Sequence, residues 1–183
     1  MRKKKISVII ILIVILISFL SGCFENDEED EIHDFVFTGL DSSEKHLSDY
    51  RGKIVILDMW ATWCGPCMAV MPELKKIYEN YSRDDLEILS INIDPSESIQ
   101  LIQSYRAWFA EEYGIELDWV FGMDDGSISE KYMKEGAIPT VAIFDQKGRL
   151  HFRKAGICAY TEIPLGFPED TSLLAPVLNE LIN

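Results

Sequence analysis

"LDMWATWCGPCMAVMPEL", residues 57–74, joins a buried-strand pattern to a helical one, and two cysteines stand at the junction. The strand half continues backwards as "IVILDMW", residues 54–60, an apolar and β-branched run interrupted by one carboxylate, Asp58, six residues before Cys64. Beyond Cys64 the apolar residues recur at Met71, Leu74, Tyr78 and Tyr81, flanked by Val70 and Ile77, which is one face of an amphipathic helix. Pro72 is expected to kink that helix, and Gly65-Pro66 suits its first turn, where proline needs no N–H. The unpaired N–H groups and partial positive charge of a helix start favour thiolate at Cys64. Cys67, one turn further, is then close enough to attack a mixed disulfide formed on Cys64.

A metal clip, a static disulfide and a redox dithiol are the chemistries to weigh for this pair. Zinc needs about four ligands, usually as two Cys/His pairs, whereas His33, His46 and His151 are scattered and no second pair exists; no metal and no cofactor is expected. A static bridge makes no use of an upstream acid, of Trp60 and Trp63, or of a helix N-terminus. The redox reading uses all of them.

Working outward, "FVFTGL" is a further strand, separated from "IVILDMW" by "DSSEKHLSDYRGK", a loop or hairpin. "LEILSINID" reads as the next buried strand. Asp94-Pro95-Ser96-Glu97 has the pattern of a helix start, with a capping acid, proline at the first helical position and Glu at the third, and that helix is expected to run to Gly114. "LDWVFGMD" follows as a strand, and Ser127-Ile128-Ser129-Glu130 as a second capping box for a short helix stopped by Gly136. "TVAIFD" and "RLHFRKAG", joined at Gln146-Lys147-Gly148, form a hairpin. "YTEIPLGFPED" is an irregular loop, and the C-terminal "TSLLAPVLNELIN" a helix with Pro176 in its first turn or at a kink. The order β-β-α-β-α-β-α-β-β-α predicts an α/β fold, a mixed sheet covered by helices.

The ends carry addresses rather than fold. Residues 1–22 hold four Lys/Arg, no acid and an apolar run from Ile6 to Leu20, the pattern of an export signal and short for a membrane span. Leu20-Ser21-Gly22-Cys23 resembles a lipobox. That resemblance implies cleavage before Cys23, lipidation of its thiol, and a chain tethered to the outer face of the cytoplasmic membrane; the other reading is an uncleaved signal anchor. Residues 23–34 contain six acids between positions 25 and 31 and read as a solvated tether, which leaves 35–183 as the domain. The formal charge of −14 excludes nucleic acid as an expected partner; it is read as a solubility feature.

"ILDMWATWCGPC" resembles the active-site strand and turn of thioredoxins, and "AIPTVAIF", residues 137–144, resembles the strand they enter through a cis-proline. The resemblance implies a thioredoxin fold in which Cys64 is the nucleophile, Cys67 the resolving thiol and Asp58 the buried proton acceptor. Trp63, Gly65 and Pro66 would rim the dithiol, while Ile138, Pro139 and Thr140 would meet an extended substrate segment in strand-addition fashion. "FVFTGLDSSEKHLSDYRGKIVILDMW" is similar to the N-terminal hairpin shared by the TlpA/ResA-like membrane-anchored reductases and the peroxiredoxins. The extra helix and strand between about Pro95 and Asp124 resemble the insertion of the TlpA/ResA-like group. The implied activity is extracytoplasmic thiol–disulfide exchange. Its implied partners are disulfide-bearing proteins, a membrane thiol-electron donor, and the membrane itself through the lipid anchor. A thiol peroxidase and a non-catalytic adaptor are the alternatives; Thr62, two residues before Cys64, breaks the P-x-x-x-T-x-x-C pattern of the former.

Two departures shape the expected chemistry. Relatives of the TlpA/ResA-like group carry a glutamate where this chain has Val70, and thioredoxins a lysine where it has Ser90. Asp58 is then the acid–base group, with a pKa raised by burial with no cation beside it. Trp60, Cys158 and the Trp108-Phe109 pair are read as core.

Overall fold

A period-two alternation runs along the central strand. In the computed structural model, which describes residues 31–182, Ile54, Ile56 and Trp60 join one buried cluster, while Val55, Leu57 and Met59 join another on the opposite face. A strand buried on both faces reads as a continuous apolar run, which is how Ile54–Trp60 (β3) reads.

Around it lie β1 (Val36–Gly39), β2 (Glu44–His46), a 3-10 turn at Leu47–Tyr50, α1 (Gly65–Asn80), β4 (Leu86–Asn92), α2 (Ile99–Tyr113) and β5 (Val120–Met123). The chain continues with α3 (Ser127–Tyr132), β6 (Thr140–Phe144), β7 (Leu150–Ala155), β8 (Cys158–Ala159), β9 (Ser172–Leu173) and α4 (Ala175–Ile182). The main sheet has the order β2-β1-β5-β4-β3-β6-β7. β3 and β4, and β4 and β5, pair in parallel, while β6 and β7 run antiparallel at one end and β1 and β2 at the other. This is the expected α/β class, a mixed sheet flanked by helices, and the architecture of the thioredoxin fold.

One face of the sheet packs against α1, α2 and α4 through Met71, Leu74, Ile77, Ile102, Phe109 and Leu178. The other is covered by the N-terminal segment and α3, with Phe35, Phe37, Leu47, Ile128, Tyr132 and Phe144 in contact. The inserted β5 separates β1 from β4, and at Gly122 a side chain would collide with Phe37: an added Cβ would stand 2.5 Å from its ring and 2.8 Å from the Thr38 carbonyl oxygen. The packed domain already includes His33, whose N–H donates to the Gly148 carbonyl at 2.8 Å. The expected signal segment 1–22, Cys23 and the tether up to residue 30 lie outside the described residues.

Several local expectations change. The helix predicted to open at Asp94-Pro95-Ser96-Glu97 begins instead at Ile99, capped by the Ser98 hydroxyl, which accepts the Leu101 N–H at 3.2 Å. Asp94 forms a tight turn with Ser96, and Glu97 is drawn inward by polar groups the local pattern does not reveal. The helix ends as predicted, with Gly114 at φ 67°. The start of α3 is capped by Asp124, whose carboxylate accepts the N–H groups of Ile128 and Ser129, not by Ser127. Of the Trp108-Phe109 pair, Phe109 is core and Trp108 is 42% exposed. Pro176 sits in the first turn of α4, and Pro72 lies inside α1.

Candidate active site

The strand order places the end of β3 at the middle of the sheet, so the chain leaving Trp60 turns directly into α1. Cys64 is the N-cap of that helix and Gly65-Pro66 its first two residues. Cys64 and Cys67 are joined in a disulfide, with Cα atoms 5.2 Å apart. The Cys67 N–H points at the Cys64 sulfur at 3.2 Å. That donor, together with the helix dipole, stabilises negative charge on Cys64 when the bridge opens. Both cysteines are nearly enclosed, while Gly65 and Pro66 are exposed.

Trp60 and Trp63 part company. Trp60 is fully buried against Tyr105 and Phe121, at ring separations of 5.0 and 5.6 Å. Trp63 is 64% exposed beside the dithiol, its indole N–H donating to Asp94 Oδ2 at 2.6 Å. The turn carrying it is held from below by Glu97, which accepts from the Thr62 N–H at 3.2 Å, from the Thr62 hydroxyl, and from the Asn92 amide at 2.6 Å. These three residues form a polar bracket under the redox turn that sequence reading missed. Its only signal is a carboxylate in a stretch that already had enough capping groups.

Asp58 follows the alternation of β3 onto the face covered by α1. It is 1% exposed. Pairing of β3 with β4 sets Ser90 directly opposite, and the Ser90 hydroxyl donates to Asp58 Oδ2 at 2.8 Å. Ser90 in turn accepts the indole N–H of Trp119 at 2.9 Å, which commits its proton to the carboxylate. Asp58 Oδ1 has no hydrogen-bond partner among the described residues. Burial drives the Asp58 pKa up to about 7, with the Ser90 hydrogen bond opposing part of the rise. A carboxyl that titrates near neutrality can both take and return a proton there. Val70 is buried in α1.

The Ile138–Pro139 peptide bond is cis. Ile138, Pro139 and Pro66 line one groove of about 330 Å³ that continues along Lys154, Ala155, Gly156 and Ile157. The Pro139 carbonyl accepts the Gly156 N–H at 2.8 Å. Thr140 is fully buried and its hydroxyl donates to the Ala137 carbonyl at 2.6 Å, so it shapes the proline turn from within. The groove thus brings Pro66, from the turn between the two cysteines, together with Ile138 and Pro139.

Cys158 is a free thiol, fully buried in the same apolar cluster as the dithiol. Burial, with a smaller push from the Asp58 charge, moves its pKa up to about 12. Among the described residues no cluster of His, Cys, Asp or Glu is placed to hold a metal ion, and no helix is long and apolar enough to cross a membrane.

Comparison with known proteins adds to this geometry. Residues 29–153 match the model of the AhpC/TSA family. The thiol-disulfide oxidoreductase ResA of Geobacillus kaustophilus is 36% identical over 118 residues, covering 64% of this chain and 63% of that protein. ResA of Bacillus cereus is 27% identical over 159 residues, covering 82% of this chain and 87% of the relative. Among solved structures, the pneumococcal exposed lipoprotein thioredoxin Etrx1 of Streptococcus pneumoniae superposes with a TM-score of 0.58 at 27% identity, over 81% of this chain and all of that one.

Proposed function

The chain belongs to the AhpC/TSA family, and we propose that within it this protein is an extracytoplasmic, membrane-anchored thiol–disulfide oxidoreductase that reduces disulfides of other proteins. The observation that carries the reading is a Cys64–Cys67 disulfide at a helix N-terminus, reached from a strand that buries the lone carboxyl of Asp58. The ResA relatives and the lipoprotein thioredoxin support it.

In the proposed cycle the Cys64 thiolate attacks one sulfur of a substrate disulfide. An S–S bond forms between Cys64 and that sulfur, and the other substrate sulfur leaves as a thiolate that takes a proton. Asp58, directly or through water, accepts the proton of Cys67. The Cys67 thiolate then attacks Cys64, releasing the second substrate thiolate and leaving the Cys64–Cys67 bridge. Two electrons have passed to the substrate. A membrane thiol-electron donor restores the dithiol, and the TlpA/ResA resemblance makes apocytochrome c, or an assembly factor acting on it, the physiological substrate. Ile138 and Pro139 receive an extended segment of that substrate, and Trp63 with Gly65-Pro66 forms the apolar rim.

The decisive measurement is the reduction potential of the Cys64–Cys67 couple. A value near −270 mV is expected, and one near −120 mV would reverse the direction of electron flow. Cys64→Ser should abolish insulin reduction, while Cys67→Ser should trap a mixed disulfide. Rapid peroxide turnover without insulin reduction would instead establish a thiol peroxidase, and a cellular phenotype untouched by Cys64→Ser would establish an adaptor.

A further inference from the structure

Asp94 and Glu97, from the chain that follows β4, grip the redox turn from outside it. The turn is Ala61–Cys64, closed by the Cys64 N–H donating to the Ala61 carbonyl at 3.1 Å. One carboxylate holds Thr62 at two points: the Thr62 N–H donates to Glu97 Oε2 at 3.2 Å and the Thr62 hydroxyl to Glu97 Oε1. Trp63, the next residue, donates its indole N–H to Asp94 Oδ2 at 2.6 Å. Asn92, fully buried at the end of β4, ties the two acids together. Its amide donates to Glu97 Oε2 at 2.6 Å and its Oδ1 accepts the Asp94 N–H at 3.0 Å. The loop 93–98, which leads into α2, therefore holds both residues that immediately precede Cys64.

Glu97 is buried, and two of its three hydrogen bonds among the described residues end on Thr62, so the carboxylate serves the turn rather than its own loop. What the turn positions is a sulfur. Cys64 is the N-cap of α1, and its Sγ lies 3.2 Å from the Cys67 N–H. A turn that rotated the sulfur off the helix end would forfeit that donor and the helix dipole, whose influence fades within the first turn.

We infer that Glu97 is a positioning residue for thiol–disulfide exchange: by fixing the Ala61–Cys64 turn it keeps the attacking sulfur of Cys64 at the end of α1, against the Cys67 N–H. The inference rests on the reading of Cys64 as the nucleophile and adds the group that presents it. Glu97 touches no reacting atom and acts through Thr62. Its negative charge works the other way, because a like charge nearby disfavours a thiolate. The two effects have opposite signs, and glutamine separates them. Its carbonyl can take the place of Oε2, accepting from Thr62 and Asn92, while its amide donates to the Thr62 hydroxyl oxygen, so the grip survives without the charge.

The test uses full-length protein reduced with dithiothreitol and then freed of it, and follows thiolate formation by ultraviolet absorbance as pH is raised. In Glu97→Ala the lowest thiol midpoint should rise by about one pH unit, and equilibrium with a glutathione buffer should move toward the bridged form by up to about tenfold. Glu97→Gln should bring the midpoint back to the wild-type value or just below it. Thr62→Val, which removes only the hydroxyl, is the milder variant should Glu97→Ala fail to fold; it should shift the midpoint the same way by less, and Thr62→Ser should restore it. Asp145→Ala controls for lost stability. It removes a buried carboxylate that accepts the Lys147 and Arg149 N–H groups in the β6–β7 turn, and should leave the midpoint where it was. A midpoint that stays or falls in Glu97→Ala and Thr62→Val, one that rises as far in Glu97→Gln as in Glu97→Ala, or one that rises equally in Asp145→Ala would each overturn the inference. Insulin reduction by the same wild-type sample is scored separately: its failure would end the reductase reading, while the midpoints would still decide whether Glu97 positions Cys64.

Discussion

The two oxygens of Asp58 have different surroundings: Oδ2 receives the Ser90 hydroxyl, and Oδ1 receives nothing among the described residues. Its pKa is raised to about 7 from 3.8, so the folded chain retains a proton that the unfolded chain releases. The stability this supplies is complete below the unfolded value and is lost as pH rises through the folded one, a window of about 4 to 7. Asp58→Asn should therefore unfold at higher urea than wild type at pH 8, by a few kcal/mol at about 1.36 per pKa unit, with the gap closing near pH 4. The same variant should slow the resolving attack by about a hundredfold, visible as accumulated mixed disulfide. Ser90→Ala removes the bond that opposes the rise, so the pH midpoint of the resolving step should move upward; an unmoved midpoint would remove Ser90 from the account. Asp58 was legible because a lone carboxylate inside an apolar strand demands a reason. Ser90 was legible only as a missing cation. Trp119 was not legible at all, since nothing short of the strand register brings its indole to Ser90.

At the scale of the element, Glu97 shows why local patterns mislead. Asp94-Pro95-Ser96-Glu97 contains every group a helix start needs, but a helix start competes with other uses of the same atoms. Here the unpaired N–H of Thr62 and the buried amide of Asn92 claim the Glu97 carboxylate, and Ser98 takes over the cap. Leaving those donors buried without an acceptor costs about 1–3 kcal/mol each. Glu97→Ala should thus lower the urea midpoint by the equivalent of about 2–4 kcal/mol. It should also broaden the environment of Trp63, read by its fluorescence. A variant of unchanged stability would mean that the bracket is ornamental. The helix end, by contrast, was legible, because a left-handed residue after the last turn calls for glycine and Gly114 is there.

For the molecule as a whole, the alternation of strand and helix patterns predicted the α/β class, and the strand pairings bear it out. What alternation cannot give is strand order: the insertion of β5 between β1 and β4 depends on Gly122 allowing Phe37 to lie against it. Segment 161–171 was legible only as irregular chain, since its base is held by pairing of Cys158 and Ala159 with Ser172 and Leu173 and by the Tyr160 N–H donating to Glu73, contacts between residues far apart in sequence. The anchor is tested at this scale as well. Cys23→Ala should release the protein from the membrane fraction, and mass spectrometry of the mature wild type should begin at a lipid-modified Cys23. Burial of Cys158 has a practical outcome for such work. Its thiol is enclosed and stays protonated at neutral pH, so a maleimide tag added to native protein meets only what the Cys64–Cys67 couple exposes. A gel ladder then reads oxidation state without any probe being engineered in: no tag on the native bridged form, tags on the native dithiol only where opening the bridge exposes a thiol, and three once the reduced chain is unfolded. A Cys23 that carries no lipid adds one tag to every rung, so the same ladder, run on whole cells, counts anchored and unanchored chains.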